Sequence, residues 1–342
     1  MVFTWLGYFC ECGRKESSHP PPMTNDDTSS QVLLPPVRQG RNCCFPMIPA
    51  TFQLLLFSLL LSLCSCLYVP GSLKGLPAIP LSNNNGDGTT VDIDDLINSK
   101  KGSSLVVFGT YAADFNMIEY AQRLTHYIPR LKEKDISNFV MIVNSSPAAA
   151  EKLAKLLEIP SEIDMLCDPT GTISKKFGVN TGWRPDDADM SPYVKLFGML
   201  WGLGAWATLP SVIGGYLGNP FTSQGWIEEA LAQGQRQGRF PTNALNLDDN
   251  GRVLLNKFSE LPLVGSWPRR PLELATLRLQ NMMGISLANW SDLKPNDEEL
   301  KAGVLTQLGG CLVLSENGDV RYEWRDQGIC HVVNFEDMIA KL

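Results

Sequence analysis

Residues 104–134, SLVVFGTYAADFNMIEYAQRLTHYIPRLKEK, decide the fold. The apolar run from Ser104 to Tyr111, with its paired valines, predicts a strand buried on both faces. A short turn follows. Asp114 then predicts the N-cap of a long helix in which Met117, Tyr120, Ala121, Leu124, Tyr127 and Ile128 recur at i, i+3, i+4 spacing. A helix start after a buried strand presents unpaired N–H groups and the positive end of the helix dipole, which together favour a thiolate. Here the turn holds Asp114, Phe115 and Asn116, with Met117 beginning the helix and no cysteine among them. The setting suits thiol chemistry, and the thiol is missing from it.

Outward from this stretch the chain goes on alternating. NFVMIV (138–143) predicts a second strand, and Ser145 or Ser146 caps a helix that opens with Pro147. IDMLC (163–167) predicts a third strand, and Asp168-Pro169-Thr170-Gly171 turns into a short helix. Three strands alternating with helices predict an α/β layer with right-handed crossovers. Near the C-terminus, Gly310 to Ser315 reads as an apolar strand, Glu316-Asn317-Gly318-Asp319 as a hairpin turn and VRYEWR (320–325) as its partner. An amphipathic helix, Phe335 to Leu342, closes the chain. A parallel βαβαβ half, an antiparallel hairpin and a final helix make the thioredoxin-like arrangement.

VVFGTY…DFNMIEYAQRL, MIVNSSPAAAEKLAKLL, MLCDPTGTISKKFGV and LGGCLVLSENGDVRYEWRD stand in the order seen in a known group. The chain resembles the peroxiredoxin-like branch of the thioredoxin superfamily, the alkyl hydroperoxide reductase/thiol-specific antioxidant (AhpC/TSA) family. As a whole it is most similar to the cyanobacterial and algal plastid form. The resemblance covers about 104–180 and 306–342, and it implies a thioredoxin-like fold and antioxidant thiol oxidoreductase activity. Where such relatives carry Cys-X-X-Cys, this chain places Asp114 and Met117, a degenerate active-site position. Where peroxiredoxins use an arginine before the penultimate strand, it has Gly309-Gly310. A carboxylate cannot replace the oxidisable sulfur of peroxide reduction. Asp114 is therefore expected to be a cap and Met117 a core residue.

Nine cysteines are present, six of them in the first 66 residues. Cys167, Cys311 and Cys330 are the candidates for unconventional thiol chemistry. Cys167 ends a strand beside Asp168, whose carboxylate would raise a thiol pKa. Cys311 lies within an apolar strand and reads as a small core residue. Cys330, beside His331 in a loop, has the best local chemistry for a thiolate. No Cys-X-X-Cys occurs and the three histidines are well separated, so no metal or other cofactor is expected. A net charge of −7 without a basic block argues against nucleic acid as a partner.

Two further regions stand apart. Residues 1–82 read as a presequence: Leu54–Val69 is an uncharged, largely apolar run of 16 residues, which suits a signal-type segment better than a membrane span. A plastid location is the expectation, with 83–103 as a linker. Residues 180–307 read as a large, mostly helical insertion. Within it Leu196–Leu217 has 22 residues and no charge, with Gly198 and Gly202 in a G-X-X-X-G pair. Its length admits membrane contact, yet Pro210 and Gly214-Gly215 break it, so two short packed helices or a re-entrant hairpin fit equally; a buried insertion is slightly favoured. Arg184, beside three acids, and Arg269 and Arg270, beside Trp267, are candidates for binding an anionic group or partner, with a solvated turn as the commoner role. Two function classes follow: a binding or scaffold protein for an unknown protein partner or small molecule, without standard thiol catalysis, or an antioxidant oxidoreductase using Cys167, Cys311 or Cys330.

Overall fold

The computed structural model describes residues 73–81, 90–218, 220, 225–241 and 243–342. The run Leu54–Val69 and the six early cysteines lie outside these residues. At the centre is a seven-stranded mixed sheet in the order β2-β1-β5-β4-β3-β8-β9. Its parallel heart is β3 (Ser103–Phe108), β4 (Ile136–Val143) and β5 (Ile163–Cys167). β8 (Gly310–Leu314) runs antiparallel to β3 and pairs with β9 (Val320–Arg325) through the Asn317-Gly318 turn. The thioredoxin-like α/β architecture expected from residues 104–180 and 306–342 is the architecture observed.

All six residues of β3 are buried, and the strand's two faces feed different cores. Leu105 and Val107 join the larger core with α2 (Phe115–Lys132) and α3 (Pro147–Leu157). Val106 and Phe108 join the smaller one on the opposite face, with α1 (Ile93–Asn98) and α4 (Thr172–Phe177). That is why the strand reads as a continuous apolar run rather than an alternation. α3 is capped by Ser146 with Pro147 in its first turn. The closing helix, α12 (Phe335–Lys341), packs on α2 by stacking Phe335 on Tyr127 at 5.7 Å.

The folded body starts earlier than the leader and linker assignment places it. β1 (Pro77–Pro80) runs antiparallel to the edge of β5, pairing Ile79 with Cys167, and β2 (Val91–Asp92) extends the sheet beyond it. α1 falls in the segment read as linker, capped by Asp92 and held by buried Ile93 and Ile97. Short strands flanked by Pro and Gly carry no periodicity, so their pairing is invisible until β5 offers an open edge.

Among the described residues of 180–307 about half are helical. Leu196–Leu217 is not one helix: α5 (Pro192–Leu200) and α6 (Thr208–Tyr216) form a hairpin. Among the described residues no helix is long and apolar enough to cross a membrane. The favoured buried reading is corrected, because Trp201, Trp206 and Ile213 are exposed. Gly198, read as half of a helix-pairing motif, sits so close to the Trp183 ring that a Cβ would lie 2.4 Å from it. After α7 (Trp226–Arg236) comes a hairpin, β6 (Leu245–Leu247) and β7 (Val253–Asn256). A helical stretch follows as three joined pieces: α8 (Pro271–Glu273), a π-helical turn (Leu274–Arg278) and α9 (Leu279–Ser286). Two short helices, α10 (Trp290–Leu293) and α11 (Asp297–Lys301), lead back to β8.

Candidate functional site

Asp114 caps α2, its carboxylate accepting the Asn116 N–H at 3.3 Å. It therefore occupies the amide that a thiolate at this helix start would use. Burial pushes its carboxyl up to about 6. Met117 is fully buried, with its sulfur against Gly109. Both residues do what the sequence expects of a retained fold.

What the sequence does not show is the set of side chains gathered around this helix start. Asn116 is buried and accepts the Cys330 main-chain N–H at 2.7 Å. Asp326, just past β9, is fully buried and accepts Tyr120 Oη–H at 2.8 Å and Trp324 Nε1–H at 2.9 Å. Burial pushes the Asp326 carboxyl up to about 7; these two bonds pull it down, and the nearby Asp114 charge pushes it up again. Two carboxyl groups with raised pKa values thus flank the start of α2. His331 accepts the Gln327 N–H at Nδ1, 3.1 Å, with its ring 5.0 Å from Trp324 and 6.4 Å from Trp206. Burial lowers its pKa, which favours the neutral imidazole.

The insertion supplies the positive charge. Glu119 is buried in the first turns of α2 and is bonded to Arg123, four residues on, and to Arg278, at the end of the π turn. Burial raises the Glu119 pKa, but the two guanidiniums outweigh it and hold the carboxyl below its usual range. Arg278 also donates to the Gly215 carbonyl at 2.6 Å and lies over the Tyr216 ring at 4.7 Å. The Trp226 ring receives both guanidiniums, Arg123 and Arg278, at 5.1 Å each. Planar, weakly hydrated guanidiniums tolerate such aromatic surroundings where ammonium groups would not.

The arginine expected before the penultimate strand is absent for a steric reason. A Cβ on Gly309 would lie 2.9 Å from the Phe108 carbonyl and 3.0 Å from Asp326 Oδ2. The close approach of β3 and the buried carboxylate leave no room for a side chain. A guanidinium nevertheless stands in the neighbourhood, delivered by Arg278 from more than thirty residues upstream.

The three cysteines fall on separate elements. Cys167 ends β5 and Cys311 lies in β8, with β4 and β3 between them in the sheet. Burial pushes the Cys167 thiol up to about 12, aided by Glu299. Asp168, expected to exert that effect, is instead committed to the start of α4, accepting the Thr170 and Ile173 N–H groups at 3.1 and 2.7 Å. Cys311 is fully buried and its thiol is raised well above the ordinary range by burial. Cys330 alone is brought to the α2 start, in a left-handed backbone conformation of φ 63°. Its surroundings do not favour a thiolate: burial pushes its thiol far up, Glu119, Asp114 and Asp326 add to that, and Arg278 partly opposes them. Desolvation wins because the thiolate would add negative charge to a buried pocket already holding carboxyl groups.

The arginine candidates separate in the same way. Arg184 is exposed and paired with Asp187 at 2.5 Å. Arg270 pairs with Glu273 at 2.9 Å and donates to the Gly265 carbonyl at 2.9 Å, so its fork is already committed. Arg269 is no solvated turn: it is 7 % exposed, and burial, with Arg278 close by, pulls its pKa down to about 10. Among the described residues no group of acids, histidines and cysteines is arranged to hold a metal ion. A cavity of about 300 Å³ lies at the opposite edge of the sheet, lined by Leu81, Leu96, Ile159 and Met165 among others, away from all of this.

Asn116, Glu119, Arg278 and Asp326 are not legible as site residues in the sequence. The nearest signal is Asp326, at the end of the quoted hairpin motif. No curated protein matches the chain. A family model described as AhpC/TSA antioxidant enzyme matches residues 123–328, from within α2 to the loop after β9, beginning nine residues after Asp114. With the fold and the order of its motifs in agreement, the chain belongs to the AhpC/TSA antioxidant enzyme family.

Proposed function

We propose that this member of the family is a redox-inactive binding or scaffold protein, in which the helix start that serves thiol chemistry has become a buried polar site without a reactive thiol. The observation that carries this reading is the helix start itself, whose Asn116 N–H is capped by the Asp114 carboxylate with no cysteine in the turn. Burial pushes the pKa of the Cys330 thiol beside it up, and neighbouring carboxyl groups add to that. A protonated, desolvated thiol is a poor nucleophile towards peroxide. The test is hydrogen peroxide consumption by the full chain with thioredoxin, its reductase and NADPH, alongside Cys167→Ser, Cys311→Ser and Cys330→Ser variants. The full chain and every variant are expected to show the same background rate; turnover abolished by one substitution overturns the reading.

A second reading, a thiol oxidoreductase working through Cys330, is favoured by one observation: the Cys330 N–H bond to Asn116, with Arg278 close enough to oppose the rise in its thiol pKa. Turnover lost in Cys330→Ser and kept in the other two variants would select it. We further propose a plastid setting, which rests on the Leu54–Val69 run and the Pro-rich stretch behind it. A fluorescent fusion of the full chain that stays outside plastids would count against that location.

A further inference from the structure

The α5–α6 hairpin turns apolar side chains outward. No residue from 196 to 217 is charged, yet Phe197, Trp201, Leu203, Trp206, Leu209 and Ile213 are exposed, the two tryptophans at 65 % and 69 %. Of the fifteen exposed large apolar side chains among the described residues, eight fall between Val194 and Leu217. Scattered singly such residues need no explanation; concentrated in one hairpin they mark a contact surface. The inner side is firmly placed. Gly198 abuts Trp183, the Ala207 N–H donates to the Gln327 carbonyl at 3.1 Å, and Thr208 Oγ1 accepts the Ile329 N–H at 3.0 Å.

Two observations choose the occupant. Trp201 and Trp206 lie in the turn between the helices, and indoles are the side chains that settle at the bilayer–water interface. The charges beside α5 are Asp186, Asp187 and Asp189, with Arg184 paired to Asp187 and Lys195 buried. That balance fits a neutral lipid surface and not an anionic one. Helices of nine residues are too short to span a bilayer, for which about 20 are needed, so such a hairpin would lie in the interface plane.

We propose that the α5–α6 hairpin is a monotopic membrane-docking surface, seating Trp201 and Trp206 in the interface of a neutral bilayer. The test is flotation of the full chain with phosphatidylcholine vesicles, with the leader run disabled by Leu56→Asp and Leu60→Asp. The leader-substituted chain is expected to float. Adding Trp201→Glu and Trp206→Glu should cut the bound fraction at least tenfold, whereas raised salt should leave it unchanged, since no charge takes part. Circular dichroism and the thermal midpoint check that each variant folds; if the tryptophan pair does not, Leu209→Glu with Ile213→Glu takes its place with the same expectation. The proposal is overturned if the leader-substituted chain fails to float, or floats equally with and without the hairpin substitutions. It is also overturned if the chain ignores vesicles and sediments as a dimer that the substitutions dissociate, which would assign the surface to a second copy.

Discussion

Cys330 donates its main-chain N–H to Asn116 Oδ1 at 2.7 Å, joining the loop after β9 to the first turn of α2 across 214 positions of sequence. This bond brings a cysteine to a helix start that lacks one. It does so through the backbone, so the sulfur is positioned without being activated. Asn116→Ala should leave a half-buried N–H without its acceptor and cost about 1–3 kcal/mol. Urea unfolding of the variant measures this, and an unchanged midpoint would mean the bond holds nothing.

Glu119 is bonded to both Arg123 and Arg278, so its removal strands two buried guanidiniums, whereas removal of Arg278 leaves the Glu119–Arg123 pair intact. Glu119→Gln is expected to destabilise by about 3–5 kcal/mol, and Arg278→Met by less. Denaturant unfolding of both variants checks the order. Equal losses would show that Arg123 does not sustain the carboxylate alone.

The pH dependence follows from Asp326 and Asp114. Their folded pKa values, about 7 and about 6, lie above the unfolded value near 4. The native state therefore binds more protons than the unfolded chain between these limits. Their contribution is fully present below about pH 4 and is lost as pH rises through 6 and 7. His331, lowered by burial, acts in the opposite sense up to about pH 6.5. Comparing the full chain with Asp326→Asn isolates the carboxyl: from pH 5 to 8 the native protein should lose stability relative to the variant. A parallel pair of Tm–pH curves would refute this.

Restoring the family arginine at its usual place should fail. In Gly309→Arg, and already in Gly309→Ala, a side chain must enter the space between the Phe108 carbonyl and Asp326. A loss of about 1–3 kcal/mol or more is expected from overpacking. The thermal midpoint of the alanine variant is sufficient to test it.

Cys167, Cys311 and Cys330 should resist alkylation. All three thiols are raised by burial and remain protonated at pH 7 to 8. Iodoacetamide labelling mapped by mass spectrometry should leave these positions unmodified in the native protein and label them in urea. Rapid native labelling of Cys330 would contradict the burial argument and favour the thiol reading.

The fold was legible where local pattern and burial agree. β3, β4 and β5 read as apolar runs because both faces are covered, and the β8–β9 hairpin reads from Asn317-Gly318. Asp114 read as a cap because a carboxylate after a strand and before an apolar stripe has one cheap use. β1 and α1 were missed because PAIP and IDDLIN have meaning only beside β5 and the smaller core. Leu196–Leu217 gave an accurate account of its composition and a wrong account of its burial, since apolar content does not say which side faces out.

Sequence alone, then, determined the alternating α/β frame and the capped, cysteine-free turn at Asp114–Met117, because strand burial, helix capping and turn chemistry act over a few residues. Only the tertiary structure decided what stands at the vacant position. The approach of Asn116 to Cys330, of Arg278 to Glu119 and of Asp326 to Tyr120 joins residues more than 150 apart. Whether a thiol there is charged depends on the desolvation and the neighbouring charges that this convergence creates, and no local pattern encodes those.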